Sequence, residues 1–156
     1  MSLLKVVLLV VGIGVVLFAL VLAFALWPRV RDVSAYPALQ PLLHRPLPTK
    51  RPTTLFQLGN GLYTVRNIAL VEQDEYIGEK IAAVPVGTPL TLTGFKYSTN
   101  AVSGFTHLLA LGEVTLPSGA VVAFEYNWGS IDPDKFTKEH TELPRGAALW
   151  QEARPR

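Results

Sequence analysis

A chain of 156 residues without cysteine excludes a disulfide framework, a cysteine-based zinc site and a thiol nucleophile. Its apolar share of 49%, charged share of 17% and mean hydropathy of +0.31 point to a membrane segment. The length leaves room beside one such segment for a single small domain, not for a polytopic channel or transporter.

Val6 to Trp27 contains no charge, and only Gly12 and Gly14 interrupt its apolar run. As a helix of 22 residues it would span about 33 Å, enough for a hydrocarbon core of about 30 Å. Trp27 closes the run where an indole sits at headgroup level, and Pro28 stops the helix. Residues 1–27 therefore read as a transmembrane anchor, with membrane lipid as the partner of residues 6–27. The rival is a cleaved signal peptide, for which Lys5 supplies a positive start and Ala23-Phe24-Ala25 a small-x-small site. The apolar run exceeds the ~7–15 residues of an ordinary signal core, which favours retention. Arg29 and Arg31 argue for a cytoplasmic C-terminal side, whereas a short tail with Lys5 argues for export. The expectation adopted is a bacterial inner-membrane protein with an exported, periplasmic domain.

Residues 28–53 carry six of the twelve prolines. Each proline fixes φ and pushes its predecessor towards extended geometry, so a semi-rigid spacer holding the domain off the bilayer is expected. The alternative is a strap in which Leu39, Leu42, Leu43 and Leu47 pack back on the domain. Between residues 28 and 71 six basic residues face Asp32 alone, whereas residues 72–156 hold eleven acidic residues against seven basic. The pI near 9.0 is thus a membrane-side basic stretch rather than a nucleic-acid footprint.

From Thr54 the pattern becomes β, and a small domain is expected over 54–150 with a flexible tail at 151–156. Thr54–Leu58 and Leu62–Ile68 read as strands around the turn Gly59-Asn60-Gly61. Ile81–Val84 reads as a short strand or one helical turn. Leu90–Tyr97 alternates clearly, with Leu90, Leu92 and Gly94 on one face and Phe95 and Tyr97 on the other. Phe105–Leu116 and Ala120–Trp128 form a hairpin through Pro117-Ser118-Gly119, with Gly112 expected at a bulge. Asp132 and Pro133 suit a helix N-cap and first position, so a short C-terminal helix is expected over 133–140. The fold class is one N-terminal transmembrane helix plus a mainly β domain, a small antiparallel barrel or sandwich with a short C-terminal helix.

Tyr63 to Asn67, followed by Ile81 to Leu92 with Gly87, Leu90 and Leu92 in apolar-x-x-x-Gly spacing, resembles the bacterial SH3-like (SH3b) domain over residues 62–128. The resemblance implies an SH3-like barrel used for binding cell-wall or protein ligands. The chain departs from the family where Asn67-Ile-Ala-Leu70 replaces a Gly-Pro-Ser loop, and where Gly119-Ala-Val-Val122 replaces a closing Gly-Trp-Val. No ligand-surface residue is therefore carried over.

The chemistry-bearing residues form no catalytic constellation. His44 lies among prolines. His107 stands near Ser103 and Thr106, but no Gly-x-Ser-x-Gly elbow accompanies it. His140, Glu139, Asp132 and Asp134 lack metal-loop spacing, and no glycine loop has phosphate-binding context. No cofactor, metal or catalytic residue is expected. The aromatics Phe124, Tyr126 and Trp128 share a strand face and read as core. What remains is an interaction surface: Glu72, Asp74, Glu75 and Glu79 as a negative patch for a basic protein, and Tyr97 and Asn100 bordering the polar loop 98–104. The expected function is a single-pass anchored binding or accessory protein, taking another protein or a cell-envelope ligand. The alternatives are an anchored immunity protein that blocks a toxic enzyme, and a hydrolase centred on His107.

Overall fold

The computed structural model describes residues 3–27, 29–59, 65–72 and 78–152. Helix α1, Leu3–Ala25, is long and apolar enough to cross a membrane. None of its residues is buried against the rest of the chain, so it is not a core helix. Its last turn closes with the Leu26 N–H on the Leu22 carbonyl and the Trp27 N–H on that of Phe24.

Among the described residues eight strands follow: β1 Arg29–Asp32, β2 Pro46–Pro48, β3 Thr53–Gln57, β4 Ile68–Val71, β5 Glu79–Val84, β6 Pro89–Thr99, β7 Thr106–Thr115 and β8 Val121–Ile131. They form one sheet in the order β1-β6-β7-β8-β4-β3-β5, with β2 also on β6. The centre is the meander β6-β7-β8, three long strands paired antiparallel over most of their length. β4 joins β8 through a parallel contact at Ala69 and Glu125. The sheet is open, so of the expected barrel or sandwich the closed barrel is not formed. Its far strand β5 runs through 85–88 directly into β6. At that corner Thr49 pairs with Thr88 and Gly87, and its hydroxyl donates to the Pro85 carbonyl at 2.8 Å.

The proline-rich segment, expected as a spacer with a packed strap as the alternative, belongs to the sheet and core. β1 pairs with the second half of β6 and β2 with its first residues. Pro46 and Pro48 flank Leu47 on an edge strand, where a missing N–H costs little. Between β1 and β2 the chain turns back through 34–44. The Ser34 hydroxyl both donates to the Phe95 carbonyl and accepts its N–H, and the Ser34 amide holds the Asp32 carboxyl below the usual carboxylate range. Leu39 and Val33 are thereby laid on the inner face of the sheet, beside Leu47.

Two bulges within the meander set which of its side chains face inward, and a third lies between Leu55 and Phe56 of β3, where Ile81 is the extra residue on β5. Thr93 is an extra residue between the Leu92–Gly112 and Gly94–Leu111 pairs. It shifts the phase of β6, so Leu90, Leu92 and Phe95 all reach the core. The strict alternation expected over 90–97 is corrected on this point. The second irregularity lies between Leu108 and Leu109, where Trp128 is the extra residue on β8. Gly112 stands at the first of these bulges, as expected, although the extra residue is Thr93 on the facing strand. The glycine is in register with Leu92 and Phe124, and a Cβ there would lie 2.7 Å from the Phe124 ring and 2.9 Å from the Thr91 carbonyl.

After β8 the chain forms turns, not the expected helix. The Asp132 carboxylate accepts the Asp134 N–H at 3.1 Å, and the Lys135 N–H returns to the Asp132 carbonyl. The following residues fold back rather than continue, through the bridge of Phe136 with Thr141 and the Thr137 N–H on the His140 carbonyl. This segment covers one end of the core. Phe136 stacks on Tyr36 at 5.5 Å, and Trp150 packs edge-on against Trp128 at 5.2 Å and Tyr126 at 5.9 Å. Glu152, in the expected tail, pairs with Lys50 at 2.9 Å.

Candidate functional site

On β8 the side chains alternate. Phe124, Tyr126 and Trp128 enter the core, which leaves Glu125 and Asn127 on the other face. There a cleft of about 290 Å³ is lined by Ala69, Leu70 and Val71 of β4, by Ser98, Asn100, Ser103 and Phe105 at the β6–β7 turn, and by His107, Leu109, Glu125 and Asn127. A shallower depression shares Leu70, Val71, His107 and Asn127 with it and extends past Glu72, Tyr126 and Ser130. The result is a groove with an apolar floor and polar side chains around it, among them the Glu72 and Glu125 carboxyl groups.

Glu125 lies at its inner end and is only 6% exposed. Its Oε2 accepts the N–H groups of Val65 at 2.6 Å and Arg66 at 2.7 Å, and the Arg66 guanidinium donates to the Gly112 carbonyl at 3.0 Å. Burial raises its carboxyl pKa, opposed by those two N–H groups and by Arg66. The side chain fastens the approach to β4 onto β8. A folded-state pKa above the unfolded value means that this group favours folding below its unfolded pKa, and loses that contribution as pH rises through the folded value. Glu125→Gln keeps an acceptor for both N–H groups and removes the charge. It is expected to fold and to lack the loss of stability that Glu125 contributes as pH rises through its folded-state pKa. Glu125→Ala strands two donors and is expected to cost about 1–3 kcal/mol. Urea unfolding followed by tryptophan fluorescence across pH measures both.

The expected interaction residues are dispersed. Asn100 lines the cleft and shapes its turn, its Oδ1 accepting the Val102 and Ser103 N–H groups. Glu72 lines the adjoining depression, but its carboxylate is engaged: Oε2 lies 2.6 Å from Arg51 Nη1, and Oε1 accepts the Tyr126 hydroxyl at 3.3 Å. Arg51 donates in turn to the Ala147 carbonyl at 2.6 Å, tying the C-terminal segment to the corner. Burial, with the Glu72 charge second, pushes the Tyr126 hydroxyl pKa well up. Glu79 is exposed on β5. Tyr97 faces the core side of β6, edge-on to Phe136 at 6.4 Å. Asp74 and Glu75 lie outside the described residues. Glu72→Lys is expected to lower stability by about 1 kcal/mol, whereas Glu79→Lys leaves it unchanged; thermal unfolding of the two variants distinguishes them.

His107 contacts Asn127, with Nδ1 and the amide nitrogen 3.4 Å apart. The hydroxyls near it in sequence are engaged elsewhere. Ser103 Oγ accepts the Phe105 N–H, and Thr106 shares a hydrogen bond with Thr99 at 2.9 Å. Among the described residues no three His, Asp or Glu side chains converge as metal ligands. Sequence reasoning missed Glu125 and Asn127. Their signal was a polar phase, Glu125 then Asn127, threaded between three aromatics on one strand. No family model matches the chain, and neither a curated protein nor a solved structure matches it.

Proposed function

We propose that this chain is a single-pass membrane-anchored binding or accessory protein whose β domain holds a partner in the cleft of β4, β7 and β8. The observation that carries the reading is the groove itself: polar side chains Asn100, His107 and Asn127 rim an apolar floor, on a domain that begins four residues after an apolar helix. The SH3-like resemblance over 62–128 supports a binding role. The proposed address is a bacterial inner membrane with the domain on the exported side, and the partner is a protein or a cell-envelope ligand. Charge gives a weaker handle than the acidic composition suggested, because Glu72 is already paired within the domain.

A photo-crosslinking residue in place of His107 tests this in intact cells, with the same residue at Ser118, on the β7–β8 turn, as control. A discrete adduct from position 107 and none from 118 is the expected result. No adduct from 107, or the same adducts from both, contradicts the reading.

A further inference from the structure

Three features meet at one end of the sheet. First, α1 ends at Ala25 and β1 begins at Arg29, so Arg29 lies within about 15 Å of chain from the end of the helix. The headgroup layer outside the hydrocarbon core is itself about 6 Å thick. Arg29 is aligned with Thr99, and Thr99 with Thr106. The turn joining β6 to β7, residues 100–105, therefore leaves the sheet at the end that α1 enters.

Second, this turn displays apolar side chains to the outside. Val102 is 73% and Phe105 65% exposed, and Val30 on the neighbouring edge strand is exposed as well. Third, the turn supplies acceptors for five of its six backbone N–H groups. The Asn100 N–H donates to the Phe105 carbonyl at 2.9 Å and the Gly104 N–H to the Asn100 carbonyl at 2.8 Å. The Val102 and Ser103 N–H groups donate to Asn100 Oδ1, and that of Phe105 to Ser103 Oγ. A loop entering a water-poor layer must bring its own acceptors, because unsatisfied N–H groups there are costly. This loop does so for all but one of its N–H groups while pointing two large apolar side chains outward.

We propose that the 100–105 turn seats Val102 and Phe105 in the lipid interface beside the end of α1, giving the domain a second membrane contact. The occupant is the bilayer because the tether keeps it at high effective concentration next to this end of the sheet. Interfacial burial of aromatic and aliphatic side chains is favourable there. The contact also fixes the rotation of the domain about its short tether and sets the cleft, which Asn100, Ser103 and Phe105 help to line, alongside the membrane. The inference rests on α1 being a retained anchor.

The chain has no cysteine, so single substitutions Val102→Cys, Ser118→Cys and Leu17→Cys can each carry one environment-sensitive nitrobenzoxadiazole label. The full chain is placed in phosphatidylcholine nanodiscs and exposed to dithionite. The expected result is reduction at 102 about fivefold slower than at 118, with quenching at 102 by lipids spin-labelled near the headgroup. Equal reduction at 102 and 118 with a shielded label at 17 overturns the loop contact and leaves the anchor intact. An accessible label at 17 overturns the anchor reading and the contact together. Efficient disulfide dimerisation of unlabelled Val102→Cys assigns the turn to a second copy and likewise overturns the lipid contact.

Discussion

Leu39→Ala is expected to destabilise the β domain by about 2–5 kcal/mol, although Leu39 lies in a segment whose composition resembles a linker. Its side chain is fully buried, within a cluster that includes Val33, Leu47, Leu90, Leu92 and Phe95. Truncation removes that burial and leaves a cavity under the 34–44 turn, which is held by the Leu39 N–H on the Tyr36 carbonyl and the His44 N–H on the Leu92 carbonyl. Pro37→Ala, at an exposed position of the same turn, is expected to change stability by less than about 1 kcal/mol. Urea unfolding followed through Trp128 and Trp150 separates the two. A free spacer would give equal, negligible effects at both positions. By the same logic a chain starting at residue 54 lacks β1, β2 and the strap, exposes the outer edge of β6, and is expected not to fold.

Gly112→Ala has the second large effect, a loss of about 1–3 kcal/mol from the addition of one methyl group. Two of the atoms that the new Cβ would meet, the Phe124 Cζ and the Thr91 carbonyl oxygen, are held by the sheet. Phe124 is fully buried and the Thr91 oxygen belongs to the backbone of β6, so neither yields cheaply. Gly112→Ala combined with Phe124→Leu is expected to recover part of the loss, because the smaller side chain frees the space above position 112. Coupling of this kind between neighbours is read from a double-mutant cycle. A glycine exposed at a sheet edge would show neither the loss nor the coupling.

These two residues also show what was legible in the sequence. The strands of the meander announced themselves by alternation and by Pro117-Ser118-Gly119, because a half-buried antiparallel hairpin imposes a period of two. The 28–53 segment was obscured by its prolines. Proline forbids a central strand but suits an edge, and the apolar positions Val33, Leu39 and Leu47 are too widely spaced for either period. The Thr93 bulge left no local signature. It is required by the register against β7, a non-local constraint, and it reversed the expected side of Phe95. The C-terminal helix failed for a similar reason. Asp132-Pro133 starts a turn as readily as a helix, and the pairing of Phe136 with Thr141 and of Trp150 with Trp128 draws the chain back over the core.

The site was half visible. Asn100 and the turn around it were identified as polar and lie on the cleft. The acidic cluster was read from composition alone, which does not reveal that Glu72 meets Arg51 across 21 residues. Glu125 went unnoticed because a single acid in an aromatic strand reads as a solvent-facing residue. Its burial depends on Val65 and Arg66 arriving from a distant part of the chain.

In the proposed function a binding domain is held at the membrane by a helix that is not cleaved. The direct measurement is the intact mass of the chain recovered from carbonate-washed membranes of cells producing it. The expected result is a membrane-bound species that retains residues 3–25, close to the full 17.1 kDa. A shorter chain, cleaved near Ala25 and found in the carbonate wash instead of the membranes, would contradict it.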